Sequence, residues 1–404
     1  MARPSERILL LLLASIQFTH IMDFMIMMPL GPQLMRELGI GAGRFSALVA
    51  AYSIAAGVVG LLAAPFIDRY DRRTLLLLTY SGFAISTVVC GLAPDAHWLL
   101  IGRVVGGAFG GIAGSLCMTI VSDVVPPERR ASGIGIVMTA FALAAALGVP
   151  VGLQLALWLG WRSPFLLLAS TGVLVWLLAW RVLPSLRAHL AQPGDRRKAF
   201  GEVLRDPNAG RALIFQFAMV LGHFTIIPLL SPHLVANVGY PEKYLALVYV
   251  VGGSLSVLTA PWVGRLADRH GRQRMFTVLV VIASVVIIAI THTGPIAPWL
   301  VLLLAGAFFV FASGRFVPGQ AIITLAVPST RRGAFLSLSA CARDLASGIS
   351  SSIGGWVVVR TPTGALANYH WLGWIAVGCA AVSVWLSTRV QVKDLGVRGN
   401  AGHS

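Results

Sequence analysis

The sequence predicts an all-α integral membrane protein with twelve transmembrane helices in two pseudo-symmetric six-helix bundles. Hydrophobic residues make up 57% of the 404 residues and charged residues only 11%, and the mean hydropathy is +0.81. Because soluble domains carry about 25% charged residues, this composition excludes an ordinary water-soluble protein. A compact charge cluster at residues 68–73 recurs at residues 268–273, which indicates two related halves.

Twelve apolar windows are long enough to cross a membrane, since about 20 helical residues span the ~30 Å hydrocarbon core. The predicted spans of the first half cover residues 8–30, 44–67, 75–94, 97–124, 131–157 and 163–183. Those of the second half cover residues 209–235, 244–263, 275–293, 298–326, 333–358 and 370–388. The predicted units are an N-terminal bundle at 1–183, a linker at 184–207 and a C-terminal bundle with its tail at 208–404. We expect the first span to remain a helix and not a cleaved signal peptide, because it continues to Pro29 without a small-residue cleavage site.

The positive charges predict the orientation of these helices. With both termini cytoplasmic, 23 of the 31 Lys and Arg residues fall on inner loops and tails, and three lie within spans. The five on the outer side are Arg36, Arg44, Arg162, Lys243 and Arg360. Cytoplasmic loops are enriched in Lys and Arg, so we expect cytoplasmic termini and a bacterial inner membrane. The net charge of +16 then reflects the membrane topology, and no nucleic-acid partner is needed to explain it. The basic residues of the linker are expected to contact membrane lipids, and the alternative is that the linker is only a flexible tether.

The four cysteines, Cys90, Cys117, Cys341 and Cys379, lie in apolar spans without metal-ligand spacing. We therefore expect packing residues, no disulfide framework, no metal site and no cofactor.

The second charged loop carries a motif at fixed spacing, Gly-x-x-x-Asp-Arg-x-Gly-Arg. Its residues are Gly264, Asp268, Arg269, Gly271 and Arg272. This motif resembles the loop signature between helices two and three of the major facilitator superfamily of secondary transporters. The resemblance extends over nearly the whole chain and implies that two six-helix bundles rock around a central site.

The first charged loop departs from that signature. It keeps Asp68, Arg69 and Arg72 but has Ala64 and Asp71 where the family has glycine. Because glycine reaches positive φ more readily than aspartate, the backbone conformation of the first loop is left open. The alternative is an ordinary solvated loop.

By the same resemblance, the first loop is part of a gate. Asp68 is expected to latch onto the start of helix eleven in the outward-facing state. Arg72 is expected to pair with Asp123, which ends helix four, in a charge relay.

A motif in helix five points to one branch of the family. Gly148, Pro150 and Gly152 resemble the helix-five motif of proton-coupled exporters, particularly the arabinose-efflux-permease-like and drug:proton antiporter branch. The alternative is close helix packing, since small residues let two backbones approach.

Ionisable residues inside membrane spans are costly and by default indicate function. They are His20, Asp23, Arg103, His223, Arg315, Arg343 and Asp344. In the family, helices one, four, seven and ten line the cavity, and five of these seven residues lie on those helices. Gln17 and His20 precede Asp23 at steps of three residues, so all three are expected to share one helix face.

Asp23 is the predicted proton-titrating group and Arg103 its modulator. At ~1.5 Å per residue, Asp23 lies about 22 Å into helix one from the inner end, and Arg103 about 9 Å into helix four from the outer end. The two are therefore expected to meet. Burial disfavours a charged carboxylate whereas a nearby cation favours it, so opening and closing the cavity can load and release a proton. The alternative is a static pair that ties two helices together.

The remaining residues suggest further roles. His223, at offset 200 from Asp23, is a candidate second proton or substrate group, or a hydrogen-bonded packing residue. Arg315 and Arg343 are candidates for binding an anion, or belong to a neutralising network with Asp344. Arg343 and Asp344 are adjacent, so their side chains are expected to point in different directions.

The resemblance implies a monomeric secondary active transporter that exports a small organic molecule in exchange for protons. A proton-coupled uptake symporter or a uniporter is the main alternative. A membrane-embedded enzyme or a receptor is less favoured, because the sequence has no recognisable Ser/His/Asp arrangement, metal cluster or phosphate-binding loop.

Overall fold

A computed structural model describes residues 6–64, 66–126, 129–187, 196–328 and 331–391. The first half contains α1 (Glu6–Ile26), α2 (Ala42–Ala63), α3 (Arg72–Leu92), α4 (Ala96–Val124), α5 (Arg130–Leu143 and Val149–Leu159, joined by the π-helical turn Ala144–Gly148) and α6 (Ser163–Val182). The second half contains α7 (Pro207–Phe224 and Ile227–Ala236), α8 (Leu245–His270), α9 (Arg272–His292), α10 (Pro298–Phe308 and Phe316–Thr324, with the π-helical turn Phe309–Ser313 between them), α11 (Arg332–Val357) and α12 (Tyr369–Arg389). Each helix overlaps one predicted span.

Eleven of the twelve helices are long and apolar enough to cross a membrane. The twelfth, α11, has 26 residues but carries charges and six serines. It packs along α2, where Ser347 Oγ lies 3.4 Å from Ser53 Oγ. Two of its serine hydroxyls, at Ser350 and Ser351, donate to the backbone carbonyl of Ser347. Contact with α2 and internal hydrogen bonds therefore keep the polar side chains of α11 away from lipid.

Both described ends of the chain lie at the same end of the bundle, which we call the terminal end. Arg129 Nη2 is 2.9 Å from Glu6 Oε2, which brings the starts of α5 and α1 together. Asn208 Nδ2 donates to the backbone oxygen of Gln391 at 2.7 Å, which joins the start of α7 to the end of α12. The opposite end, with residues 27–41 and 358–368, is called the far end.

The two halves meet at the far end. Arg36 Nη1 lies 2.6 Å from Glu242 Oε2, and Arg360 Nη1 donates to the backbone oxygen of Met35 at 3.3 Å. The helices α2 and α11 continue this contact into the membrane, from Gly43 beside Gly355 to Gly60 beside Cys341. The far end is therefore closed.

The charge clusters that mark the duplication adopt different conformations. Gly271 has φ +93°, which favours glycine, and links α8 to α9. Its counterpart Asp71 has φ −57° and caps α3 instead, accepting a hydrogen bond from the backbone N–H of Arg73 at 3.0 Å. The missing glycine of the first loop is thus replaced by a side-chain cap.

Short elements lie outside the twelve helices, namely the α-helix Gly31–Glu37, the 3₁₀-helices Ile67–Arg69 and Glu242–Tyr244, a linker helix and a β-hairpin. The linker includes the helix Arg196–Arg205, whereas its residues 188–195 lie outside the described residues. At the far end, β1 (Val359–Arg360) pairs with β2 (Leu366–Ala367) in an antiparallel hairpin, which corrects the purely helical prediction locally. The side-chain amide of Asn237 donates to the backbone oxygen of Leu366 and accepts from its backbone N–H, both at 2.8 Å. These hydrogen bonds hold the hairpin against the end of α7.

Candidate functional site

A buried ion pair joins α1 to α4. Arg103 Nη1 lies 2.7 Å from Asp23 Oδ2 and 3.2 Å from the backbone oxygen of Asp23. The two side chains are 0% and 3% exposed. The Arg103 Cζ atom also lies 4.2 Å from the ring centroid of Tyr52, a cation–π contact with α2. The structure thus brings together the two residues that helix depth predicted to meet.

Glycines on α4 allow this close approach. A Cβ atom at Gly107 would overlap the backbone oxygen of Tyr52. At Gly110 a Cβ atom would lie 2.7 Å from Tyr52 Oη and 2.8 Å from His20 Cδ2. The glycine face of α4 therefore packs directly against α1 and α2 at the level of the ion pair.

Polar atoms without hydrogen-bond partners concentrate around the pair. Of the buried polar atoms without a partner in the described part of the chain, seven lie here: Gln17 Oε1, His20 Nδ1 and Nε2, Asp23 Oδ1, Tyr52 Oη, and Arg103 Nε and Nη2. A smaller group, which includes Gln216 Nε2, His223 Nδ1 and two atoms of Arg315, lies in the C-terminal bundle. A buried polar group left unsatisfied costs about 1–3 kcal/mol, so such a concentration is expected where protons or substrates bind. Gln17 and His20 both face Gly114 of α4, in agreement with their predicted common face with Asp23.

The charged residues of α11 face this cluster from the other half. Arg343 and His20 lie within electrostatic range of each other, as do Asp344 and Tyr52. The side chains of Arg343 and Asp344 are 47% and 30% exposed although they lie near the middle of α11. This exposure shows open space beside the two side chains, which we call the cavity.

The predicted divergence of these two side chains is wrong. Arg343 Nε lies 3.5 Å from Asp344 Oδ1. The long arginine side chain bends back toward its neighbour, which the spacing of Cβ atoms along a helix does not anticipate.

His223 and Arg315 lie inside the C-terminal bundle and do not contact Asp23. The His223 ring stacks on Phe308 at 5.9 Å between centroids and meets the edge of Phe316 at 4.9 Å. Arg315 is fully buried, and its Nη2 atom donates to the backbone oxygen of Met219 at 3.5 Å. The ring thus lies among aromatic side chains, while its Nδ1 atom has no hydrogen-bond partner among the described residues, so both interpretations of His223 stay open.

The helix-five motif packs against α1. Cβ atoms at Gly148 and Gly152 would each lie 2.7 Å from an α1 side chain, Met22 Sδ and Ile26 Cδ1 respectively. Pro150 stands in the first turn after the π-helical segment. This geometry agrees with the close-packing alternative and holds α1 on both sides of Asp23.

Of the predicted gate residues, Arg72 and Asp123 form a contact, with Arg72 Nε 3.1 Å from Asp123 Oδ2. In the second loop Asp268 and Arg272 are 3.6 Å apart and solvent-exposed, and Arg269 is also exposed. A Cβ atom at Gly264 would meet only Val317 Cγ1, at 3.9 Å, so close packing does not require this glycine.

Of the other two predicted residues of the first loop, the structure describes the side chain of Arg69. Arg69 Cζ lies 5.3 Å from the centroid of the Phe66 ring. The side chain of Asp68 lies outside the described part of the structure.

Three residues that contact the ion pair or join the halves were not predicted. Tyr52 contacts Arg103, and Glu242 pairs with Arg36. The ring of Phe24 lies 5.8 Å, between centroids, from the ring of Phe224 in the other half. Tyr52 is the only tyrosine of its predicted span, which was the one available signal.

Comparison with known families decides the class of protein. The sequence profile of the Major Facilitator Superfamily matches residues 13–314 and 212–400. The chain belongs to the Major Facilitator Superfamily. It is therefore a multi-pass membrane transporter, from a family whose members are generally not enzymes.

Relatives and solved structures agree with this assignment. YceJ, an uncharacterised MFS-type transporter of Bacillus subtilis (strain 168), is 25% identical over 350 residues, which cover 86% of this chain and 88% of YceJ. A gallate transporter of Pseudomonas putida is 24% identical over 339 residues, 74% of each chain. The inward-facing, occupied crystal structure of a bacterial homologue of the human lysosomal transporter Spinster superposes with a TM-score of 0.74 at 18% identity, covering 98% of this chain and 99% of that one. The predicted twelve-helix architecture is confirmed.

Proposed function

We propose that this transporter exports a small organic molecule in exchange for protons, by alternating access, with both termini in the cytoplasm. The observation that carries the proposal is the buried Asp23–Arg103 pair beside the cavity. One carboxylate oxygen of Asp23 is held by Arg103, while Oδ1 has no partner among the described residues. That oxygen is where a proton would bind.

Motion of the halves supplies the coupling. Asp23 and Arg103 both lie in the N-terminal bundle, whereas Arg343 and Asp344 lie in the C-terminal bundle. Rocking of one bundle against the other therefore changes the charges and the water that Asp23 meets. A cation brought closer favours release of the proton, and its withdrawal favours uptake. Release into a cytoplasmic cavity would precede binding of the exported molecule.

The orientation of the chain follows from its charges. Most Lys and Arg residues on the loops lie at the terminal end, and cytoplasmic loops carry that excess. The Arg36–Glu242 ion pair would then close the outer side. In the opposite state we propose that Asp68, with the Arg72–Asp123 pair nearby, latches the inner side.

Uptake together with a proton is the second candidate, and Arg343 favours it. Arg343 is exposed in the cavity, and its contact with Asp344 is longer than an ordinary charge-assisted hydrogen bond of about 2.7–2.9 Å. An anionic substrate bound there would favour protonation of Asp23 and hence cotransport. The relative named a gallate transporter makes organic acids reasonable first compounds to test.

Proteoliposomes loaded with a pH-sensitive dye distinguish these functions. A substrate is first identified by screening compounds in a strain that lacks its own exporters. When that substrate is added outside, exchange alkalinises the lumen, cotransport acidifies it, and uniport leaves it unchanged. We expect alkalinisation that protein-free liposomes do not show, and acidification would contradict the export proposal.

A further inference from the structure

Three of the nine histidines converge on one pocket at the far end of the C-terminal bundle. His233 comes from α7, His292 is the last residue of α9, and His370 is the second residue of α12. The pocket has a volume of about 400 Å³ and is also lined by Thr291 and Thr293. It lies away from the Asp23 cluster, and the transport mechanism does not use it.

Hydrogen bonds fix the tautomer of His292. Its Nδ1 atom lies 2.9 Å from the backbone oxygen of Ile288. A carbonyl oxygen accepts hydrogen bonds and cannot donate them, so in the neutral ring Nδ1 carries the hydrogen. The other nitrogen, Nε2, therefore presents a lone pair, and the side chain is exposed.

The His370 ring lies next to the His292 ring. The ring centroids of His292 and His370 are 5.6 Å apart. Two imidazoles that bind one metal ion at about 2.0–2.1 Å in tetrahedral geometry have centroids roughly 5 Å apart. The spacing of the exposed His292 ring and the partly buried His370 ring is therefore close to that needed for both to bind one ion.

We propose that His292 and His370 form a binding site for a divalent transition-metal ion such as Zn²⁺ or Ni²⁺. Imidazole nitrogen suits these ions, whereas Mg²⁺ prefers oxygen ligands. The described residues do not form a group of three side chains that could hold a metal, so water completes the coordination. A bound ion links α9 to α12 at the far end of the C-terminal bundle.

The test is the melting temperature of the purified full-length protein, with any affinity tag removed, during titration with Zn²⁺ or Ni²⁺. A ligand that binds only the folded state raises stability in proportion to the logarithm of its concentration above Kd. We expect a saturable rise of several degrees that Mg²⁺ does not produce. His292→Asn and His370→Asn should each abolish the rise, while His97→Asn, an exposed histidine at the far end of the other bundle, should retain it.

Copper(II) provides a second measurement on the same variants. The electron paramagnetic resonance spectrum of bound Cu²⁺ should show two equivalent nitrogen ligands in the unmodified protein and fewer in either variant. A melting temperature unaffected by metal, or a rise that survives both substitutions, would overturn the proposal. Because binding is measured in detergent, neither outcome depends on whether transport is coupled to protons.

Discussion

In the proposed mechanism, proton coupling depends on Asp23, a carboxylate with one oxygen held by a cation and the other without a partner among the described residues. An unpaired charge in the membrane interior costs several kcal/mol, so Asp23 requires Arg103 at 2.7 Å. The sequence predicted this pair because both residues interrupt apolar spans at compatible depths. It did not predict Tyr52, whose ring covers the guanidinium, because a tyrosine in a membrane helix is equally common as a packing residue.

The close approach of α4 to α2 makes Gly107 sensitive to substitution. A Cβ atom there would overlap the backbone oxygen of Tyr52, which cannot move without displacing α2. Overpacking typically costs about 1–3 kcal/mol, and we expect Gly107→Ala to reach the upper end of that range. Thermal unfolding in detergent measures the loss.

The matched control is Gly378→Ala in α12, where the new Cβ atom meets nothing within 4 Å. Alanine favours helix over glycine by about 1 kcal/mol, so this variant should be as stable as the unmodified protein or more so. Equal melting temperatures for the two variants would contradict the packing described for α4.

At the scale of elements, apolar windows predicted all twelve helices, whereas several local features were missed. The hairpin at 359–367 has two-residue strands, too short to show alternating hydrophobicity. The two π-helical turns, Ala144–Gly148 and Phe309–Ser313, lie within continuous apolar sequence, so composition does not mark them. The sequence showed that Asp71 stands where the family motif has glycine. The resulting conformation depends on contacts with residues of the linker, which the sequence did not predict.

Asp71 joins the start of α3 to the linker. Its carboxylate accepts hydrogen bonds from Ser185 Oγ at 2.6 Å and the backbone N–H of Leu186 at 3.0 Å, and lies 3.2 Å from Arg187 Nε. Burial alone would raise the pKa of Asp71, but these hydrogen bonds and that from Arg73 together lower it. A carboxyl group with a lowered pKa in the folded state stabilises the fold above its unfolded pKa of about 3.9.

We therefore expect Asp71→Asn to lower stability near pH 7 by about 1–3 kcal/mol, the cost of weakening buried hydrogen bonds. As the pH falls through the pKa of Asp71 in the folded state, the unmodified protein loses the stability that the charged carboxylate contributes. The difference in stability between the unmodified protein and Asp71→Asn should therefore narrow. Melting temperatures recorded from pH 7 down to about pH 2, below the folded pKa, measure this. The control, Asp268→Asn, removes an exposed carboxylate and should behave like the unmodified protein. A difference in melting temperature that stays constant with pH would show that the charged form of Asp71 is not the stabilising form.

For the whole molecule, the duplication predicted two halves but not how they meet. Arg36 and Glu242 are 206 residues apart, and nothing in their local sequence marks them as partners. The contact depends on which helix faces meet in one conformational state, whereas the apolar pattern is compatible with every state of the transport cycle. The sequence therefore predicts the architecture, and the structure adds the closed far end.

The Arg36–Glu242 pair is expected to favour the state closed at the far end. The pair is partly exposed, and such pairs contribute about 0.2–1 kcal/mol, so Arg36→Gln should change the ratio of the two states by up to about fivefold. Distances between spin labels on residues 94–97 and 293–298 report this ratio. The double variant Arg36→Glu with Glu242→Arg restores the pair and should restore the distribution. Identical distributions for Arg36→Gln and the unmodified protein would exclude this pair as a closing contact.

The most direct test of proton coupling compares two transport assays on Asp23→Asn in proteoliposomes, with Asp95→Asn as the control, because asparagine also caps a helix N-terminus as Asp95 does. The asparagine resembles the protonated carboxyl in shape but cannot exchange a proton. We predict that Asp23→Asn still exchanges labelled for unlabelled substrate across the membrane but no longer accumulates substrate against its gradient when a pH gradient is imposed, whereas Asp95→Asn does both. Accumulation driven by the pH gradient at an unchanged level in Asp23→Asn would contradict the role of Asp23.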